Sequence, residues 1–200
     1  MALVGIVLAG GKSRRMGQDK SLLMHCDQSM LEFSCNLLSA SGCESVIVSG
    51  PNKGQITDLL PEKGPLGGIY SCIQHYGPND YLVVPVDMPL MSEQSLRELI
   101  LTARRVNRSV YFKASPLPLL LKFDHQMMSW LARLLFRHDG DYSIKQLIKR
   151  VGAIAIKCPD KKVLFNTNTY DEWLQFQAIS NITGIPKSTG EKVFYVSQYK

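Results

Sequence analysis

The sequence predicts an α/β protein, a Rossmann-like three-layer sandwich with a mostly parallel central sheet. Three observations predict it. Val4, Ile6, Val7 and Leu8 form an apolar run without polar alternation, as expected of a strand covered on both faces. Tyr81 to Val86 repeats the pattern. Segments with helical apolar spacing alternate with strand-like ones through most of the chain, which puts helices on the faces of a sheet.

The elements follow in order. Ser29 and Glu32 form a capping-box pair ahead of a helix running to about Ser41, with Gly42 placed to end it. Glu44 to Ser49 reads as the second parallel strand. Pro65 to Gly68 opens another helix, with Ile69, Cys72, Ile73 and Tyr76 at helical spacing. After the strand Tyr81 to Val86, Ser92 starts a helix that carries Leu96, Leu99 and Ile100 on one face and arginines at its far end. Val110 to Ala114 and Pro118 to Phe123 read as two further strands separated by prolines. Met127, Trp130, Leu131, Leu134 and Leu135 define an amphipathic helix whose apolar face suits core packing. Ser143 with Gln146 caps one more short helix, Val151 to Ile156 and Lys162 to Phe165 read as the last strands, and Thr169 with Glu172 caps the final helix. There is no internal repeat and no low-complexity segment. Residues 1–182 are expected to form a single domain and 183–200 a tail, in which Val193 to Val196 is strand-like; an extra edge strand, a dimer contact and a mobile tail all fit it.

At 200 residues and 45% hydrophobic content, the chain can bury one substantial core. The net charge of +6 is spread through several segments, and only Lys12 to Lys20 and Arg104 to Arg108 cluster. A small anionic substrate accounts for the first cluster and a helix end near its favourable dipole for the second, so no nucleic-acid partner is expected. The five cysteines are an odd number with no C-x-x-C pair, which argues for a reducing compartment and for small buried residues. The apolar N-terminal strand is too short for a membrane span, has no cationic region ahead of it and runs straight into a glycine loop. A cytoplasmic enzyme without membrane contact is the expectation.

The run from Leu8 to Lys20, LAGGKSRRMGQDK, carries the chemistry. Gly10 and Gly11 let main-chain N–H groups approach a ligand, and Lys12, Arg14, Arg15 and Lys20 bring positive charge to the same loop. Backbone donors and cations at the end of a parallel strand suit a phosphate. Gly11-Lys12-Ser13 is not a Walker loop, because Ile6 stands where the first glycine should be, and Gly10, Gly11 and Gly17 do not have dinucleotide-fold spacing.

Asp87 lies just past the end of an apolar strand, where the ligand crevice of an open α/β sheet is found. It is a magnesium candidate, since Mg²⁺ needs only one or two protein carboxylates when the substrate brings phosphates; a turn begun with Pro89 is the plainer role. Asn166-Thr-Asn168-Thr169 follows another apolar segment and precedes a capped helix, so it suits either helix capping or the positioning of a metal and its waters. The four histidines are scattered without a metal or catalytic spacing, and no serine lies in a G-x-S-x-G elbow.

The loop resembles, nearly letter for letter, the signature L-A-G-G-x-S-x-R-M-G-x-D-K of molybdenum cofactor guanylyltransferases, members of the nucleotidyltransferase superfamily that includes sugar-nucleotide pyrophosphorylases and cytidylyltransferases. Pro85-x-Asp87-x-Pro89 matches the segment where that family holds its catalytic Mg²⁺. Asn166 and Asn168 match its N-x-N-T segment, and Gly64-Pro65-Leu66-Gly67-Gly68-Ile69 its G-P-L-x-G-I element. The resemblance implies a fold of the nucleotide-diphospho-sugar transferase type and transfer of GMP from GTP to molybdenum-bound molybdopterin, with pyrophosphate released. It implies catalytic roles for Lys20, Arg15 and Asp87; nucleotide contacts from Leu8, Ala9, Gly10, Gly11, Lys20, Asp58 and Asp87; and phosphate or substrate positioning by Pro65, Gly67, Asn166 and Asn168. Asp87 is the implied metal ligand, and acceptor molybdoenzymes are implied as partners. Two positions depart from the family pattern: Ser49 stands where some relatives carry a base-reading asparagine, with Asn52 close by, and Asp58 aligns only with a one-residue gap. A cytidylyltransferase acting on a pterin or small phosphate acceptor, and a nucleotide-binding regulator without turnover, are the alternatives.

Overall fold

A computed structural model describes residues 1–10, 20–25, 27–137, 139–167, 169 and 171–176. Strand β1 (Leu3–Leu8) is paired in parallel with β4 (Ser45–Ser49), an edge strand, on one side and β5 (Asp80–Pro85) on the other. The sheet continues through β7 (Leu119–Leu121) and β6 (Val110–Phe112) to β8 (Ile154–Ile156), giving the order β4-β1-β5-β7-β6-β8. Only β7 runs against the rest: it is antiparallel to both β5 and β6, whereas β6 and β8 are parallel. The short proline-containing link between β6 and β7 explains the reversal, because parallel neighbours need a crossover of a dozen residues or more.

Helices cover both faces, as the apolar runs require. Leu3 and Val7 of β1 pack with α1 (Met30–Ala40) and α3 (Glu93–Val106) on one face. Val4 and Ile6 pack with α2 (Gly64–Tyr76), α4 (His125–Leu135) and α5 (Ile144–Val151) on the other. The three-layer sandwich is therefore observed. Gly5 lets α1 settle directly on the sheet, since a Cβ there would lie 2.8 Å from Leu38 Cδ1 and 3.1 Å from Leu38 Cβ.

The capping signals are realised. The Ser29 side chain accepts from the Glu32 N–H while the Glu32 carboxylate accepts from the Ser29 N–H. Gly42 follows the end of α1 with φ of +106°, a conformation that favours glycine. Ser92 and Ser143 cap α3 and α5, and Thr169 and Glu172 bond reciprocally ahead of a helix over 171–176.

Two expected strands are corrected. Val151 closes α5, so the strand read from Val151 begins only at Ile154; Gly152 takes a left-handed φ of +57° and turns the chain between them. Lys162 to Phe165 is not a strand: residues Lys161–Leu164 form a 3₁₀ turn, because the Asp160 carboxylate accepts the Lys162 N–H and turns the backbone. A small hairpin, β2 (Met24–His25) with β3 (Gln28–Ser29), was not legible in advance. Cys35, Cys43, Cys72 and Cys158 are buried thiols, and burial pushes Cys43 and Cys72 up to about 12. Among the described residues no helix is long and apolar enough to cross a membrane. The tail 183–200 lies outside the described residues.

Candidate functional site

Sheet register builds the site. Leu8 stands opposite Ser49 on one side and Pro85 on the other, so three parallel strands end level and their outgoing loops share one rim. Main-chain bonds hold those loops together beyond the strands: Ala9 N–H donates to Ser49 C=O at 2.8 Å, and Val86 N–H donates to Leu8 C=O at 3.2 Å. Gly10 is exposed beside the backbone of Gly50, where even a Cβ would make only ordinary contact at 3.7 Å. Leu8, Ala9 and Gly10 thus present a backbone floor at the carboxyl end of β1.

One wall is the first turn of α2. Its N-cap Lys63 makes no side-chain capping bond, Gly64 takes φ of +57°, and Pro65 occupies the opening turn, where a missing N–H costs nothing. Gly67 and Gly68 are buried, and their lack of side chains makes room for Ser49 and Asp58. A Cβ on Gly68 would lie 2.3 Å from Ser49 Oγ and 3.4 Å from Asp58 Oδ1, and one on Gly67 would lie 3.6 Å from Asp58 Oδ2. Burial raises the Asp58 pKa, while a hydrogen bond from the Ser49 hydroxyl works in the opposite direction. The Asp58 carboxylate therefore lies at the positive end of α2, an acceptor pair on the rim beside the backbone floor.

A second wall comes from distant sequence. Asp87 follows β5, and its C=O accepts the Thr167 N–H at 2.9 Å, with Thr167 Oγ1 at 3.4 Å. This brings Asn166 to the Asp87 loop. Asn166 Oδ1 is buried without a hydrogen bond, and so is the Oδ1 atom of Asp87, a residue otherwise engaged. An amide oxygen and a carboxylate are hard donors that suit Mg²⁺ with substrate phosphates completing its shell. Among the described residues no cluster of three His, Cys, Asp or Glu side chains forms a self-sufficient metal cage.

The structure thus brings together Leu8, Ala9, Gly10, Asp58, Pro65, Gly67, Asp87 and Asn166. Lys20 opens a 3₁₀ turn, Lys20–Leu22, of which only its backbone is described. Gly11, Arg15 and Asn168 lie outside the described residues. Sequence reasoning gave Thr167 no role and noted Ser49 only as a departure from the family's asparagine, not as the partner of Asp58. The adjacent glycines at 67 and 68 were the available signal for Ser49, since paired small residues at a helix start imply a close neighbour.

The profile of the MobA-like NTP transferase domain matches residues 5–155. The chain belongs to that family. The molybdenum cofactor guanylyltransferase of Xanthomonas euvesicatoria pv. vesicatoria is 36% identical over 174 residues, covering 84% of this chain and 91% of that protein. Among solved structures, the molybdopterin-guanine dinucleotide biosynthesis protein A from Archaeoglobus fulgidus is similar with a TM-score of 0.70 at 20% identity, covering 90% of this chain and 99% of that one. The Mycobacterium tuberculosis protein Rv0371c, crystallised in complex with manganese, gives 0.62 at 17% identity over 88% and 97%. The matched span begins in β1 and takes in the glycine loop, the α2 wall and Asp87; it ends in β8, before Asn166 and Thr167.

Proposed function

We propose that the protein transfers GMP from GTP to the terminal phosphate of molybdenum-bound molybdopterin and releases pyrophosphate. The observation that carries this is the 36% identity over most of both chains with a molybdenum cofactor guanylyltransferase. An acceptor phosphate oxygen forms a bond to the α-phosphorus of GTP, the bond from that phosphorus to the β-phosphate oxygen breaks, and pyrophosphate leaves with the electron pair. The acceptor is already ionised at neutral pH, so the protein's task is to position two anions and stabilise charge.

The main-chain groups of Leu8, Ala9, Gly10 and Gly11 line the nucleotide, with the donors coming from the glycines because the Ala9 N–H is given to the Ser49 carbonyl. Asp58 reads the base: guanine offers N1–H and an exocyclic amine on one edge, which suits a carboxylate with two acceptor oxygens. Lys20 and Arg15 neutralise charge around the attacked phosphorus and the departing pyrophosphate. Pro65 and Gly67 shape the α2 wall, and Asn166 and Asn168 position the phosphate end. Asp87, assisted by Asn166, would hold Mg²⁺. When bound, that ion supplies charge neutralisation at the phosphates. Residues 1–182 act as one catalytic domain, and the chain works in the cytoplasm, delivering product to acceptor molybdoenzymes.

The test pairs thermal shift with turnover. GTP with Mg²⁺ is expected to raise the melting temperature more than CTP, ATP or UTP, and to support pyrophosphate release only with molybdenum-bound molybdopterin. At about a hundred times its Kd a ligand stabilises by about 2.7 kcal/mol, which is readily resolved. Preference for CTP would overturn the guanylyl assignment; nucleotide binding with no pyrophosphate release would overturn catalysis.

A further inference from the structure

His25 is 5% exposed in β2, and burial lowers its pKa. Its ring lies edge-on to two phenylalanines from opposite ends of the chain, with centroids 4.9 Å from both Phe33 in the first turn of α1 and Phe176 in the helix over 171–176. Phe176 in turn packs against Trp173 at 5.3 Å. On the amino-terminal side, His25 continues directly from the 3₁₀ turn that Lys20 opens; Ser21 of that turn is 1% exposed, and Leu23 C=O accepts the Met30 N–H at 2.8 Å. On the carboxyl-terminal side, the helix bearing Phe176 is capped by Thr169, two residues beyond the Thr167 that bonds Asp87. The imidazole is therefore the packing joint between the segment carrying Lys20 and the segment carrying Asn166.

We propose that His25 is a positioning residue for nucleotidyl transfer, its ring setting the Lys20 turn against the Asp87 and Asn166 wall through Phe33 and Phe176. This rests on the reading of Lys20 as a charge-stabilising group. Edge-to-face ring contacts have defined geometry, so the joint fixes both distance and orientation between two segments that share no strand of the sheet. Loss of the ring leaves each half of the site intact and the alignment between them loose. Misplacement by about 1 Å can cost on the order of a hundredfold in rate, and it acts on the transition state more than on GTP binding.

The experiment measures pyrophosphate release by the full-length wild type, H25A, H25F, F176A, K20A and the H25A/K20A double variant, each at a temperature where circular dichroism shows it folded. H25A and F176A are expected to lose about tenfold or more in kcat while KM for GTP moves by less than about threefold. H25F, which keeps an edge-to-face ring, is expected to be faster than H25A. The double variant is expected to be no slower than K20A, because His25 acts through the lysine's placement. Undiminished K20A turnover would overturn the assignment of Lys20 and this proposal with it. A normal K20A loss combined with undiminished H25A and F176A turnover, or with H25A losses that add in full to those of K20A, would overturn the proposal alone. Loss of stability with unchanged kcat per folded molecule would reduce His25 to a core residue.

Discussion

Thr167 donates its backbone N–H to the carbonyl of Asp87 at 2.9 Å, joining residues 80 apart in sequence at the carboxyl ends of the strands. That bond makes one wall out of two loops. Without it Asn166 would follow the Lys161–Leu164 turn as an ordinary helix entry. With it, Asn166 and its buried Oδ1 are held next to the Asp87 loop.

The Asp58 carboxylate should be costly to the free protein and useful to the complex. Burial raises its pKa, so the folded state disfavours the charged form and binds a proton more readily than the unfolded chain. The resulting destabilisation is absent well below the usual aspartate range and fully present above the raised value, hence at neutral pH. Asp58→Asn is accordingly expected to melt higher than the wild type at pH 7, with the difference closing as the pH falls through the carboxylate range, and to lose most of the GTP-induced shift. A variant that melts lower at pH 7, or keeps the wild-type shift, would remove Asp58 from base reading.

Much of this site could be read from the chain because its parts are local. The apolar strand, the glycines after it, the helix-opening G-P-L-G-G run and Asp87 between two prolines each announce themselves within a few residues. What was not legible depended on distant contacts. The Ser49 and Asp58 pair needs Gly68, and Thr167 is chosen by a carbonyl 80 residues away. Lys162 to Phe165 has the composition of a strand, but the Asp160 side chain redirects its backbone. The reversed strand β7 was hidden because an isolated apolar run carries no direction; only its short link to β6 does.

Gly68 should be intolerant of any side chain. A Cβ there would lie 2.3 Å from Ser49 Oγ and 3.2 Å from Ser49 Cβ, and Ser49 is 2% exposed with little room to retreat. Gly68→Ala is expected to destabilise by about 1–3 kcal/mol, the ordinary cost of overpacking, and to weaken GTP binding by moving Asp58. Removing the hydroxyl should relieve part of this. In denaturant titrations the Gly68→Ala, Ser49→Ala double variant is expected to be more stable than the sum of the single losses; strict additivity would show that the two positions do not meet.

His25 should set a distinct acid limit to stability. Its folded pKa is lowered from 6.5 by burial, so the unfolded chain takes up the proton first. The stability that neutral His25 contributes is complete above pH 6.5 and declines as the pH falls below that value toward the lowered folded one. The wild type is expected to lose more melting temperature between pH 7 and pH 5 than H25F, which has no proton to bind at that position. Parallel pH profiles for the two proteins would contradict this.

Asp87 should couple metal to nucleotide. A carboxylate assisted by an amide oxygen is a poor cage for Mg²⁺, which dehydrates reluctantly and is usually completed by substrate phosphates. The free protein is therefore expected to bind Mg²⁺ weakly, and to bind it tightly only beside GTP or a non-hydrolysable analogue. By reciprocity the nucleotide should bind more tightly with the ion than without it. Asp87→Asn keeps the shape of the side chain and the main-chain carbonyl that Thr167 uses, so folding and the level of the 166–169 segment should survive. What should disappear is most of the coupling, together with turnover. Calorimetric titration of Mg²⁺ into both proteins, with and without the analogue, measures this directly. Wild-type coupling in the mutant would place the metal elsewhere and leave Asp87 as the start of a turn.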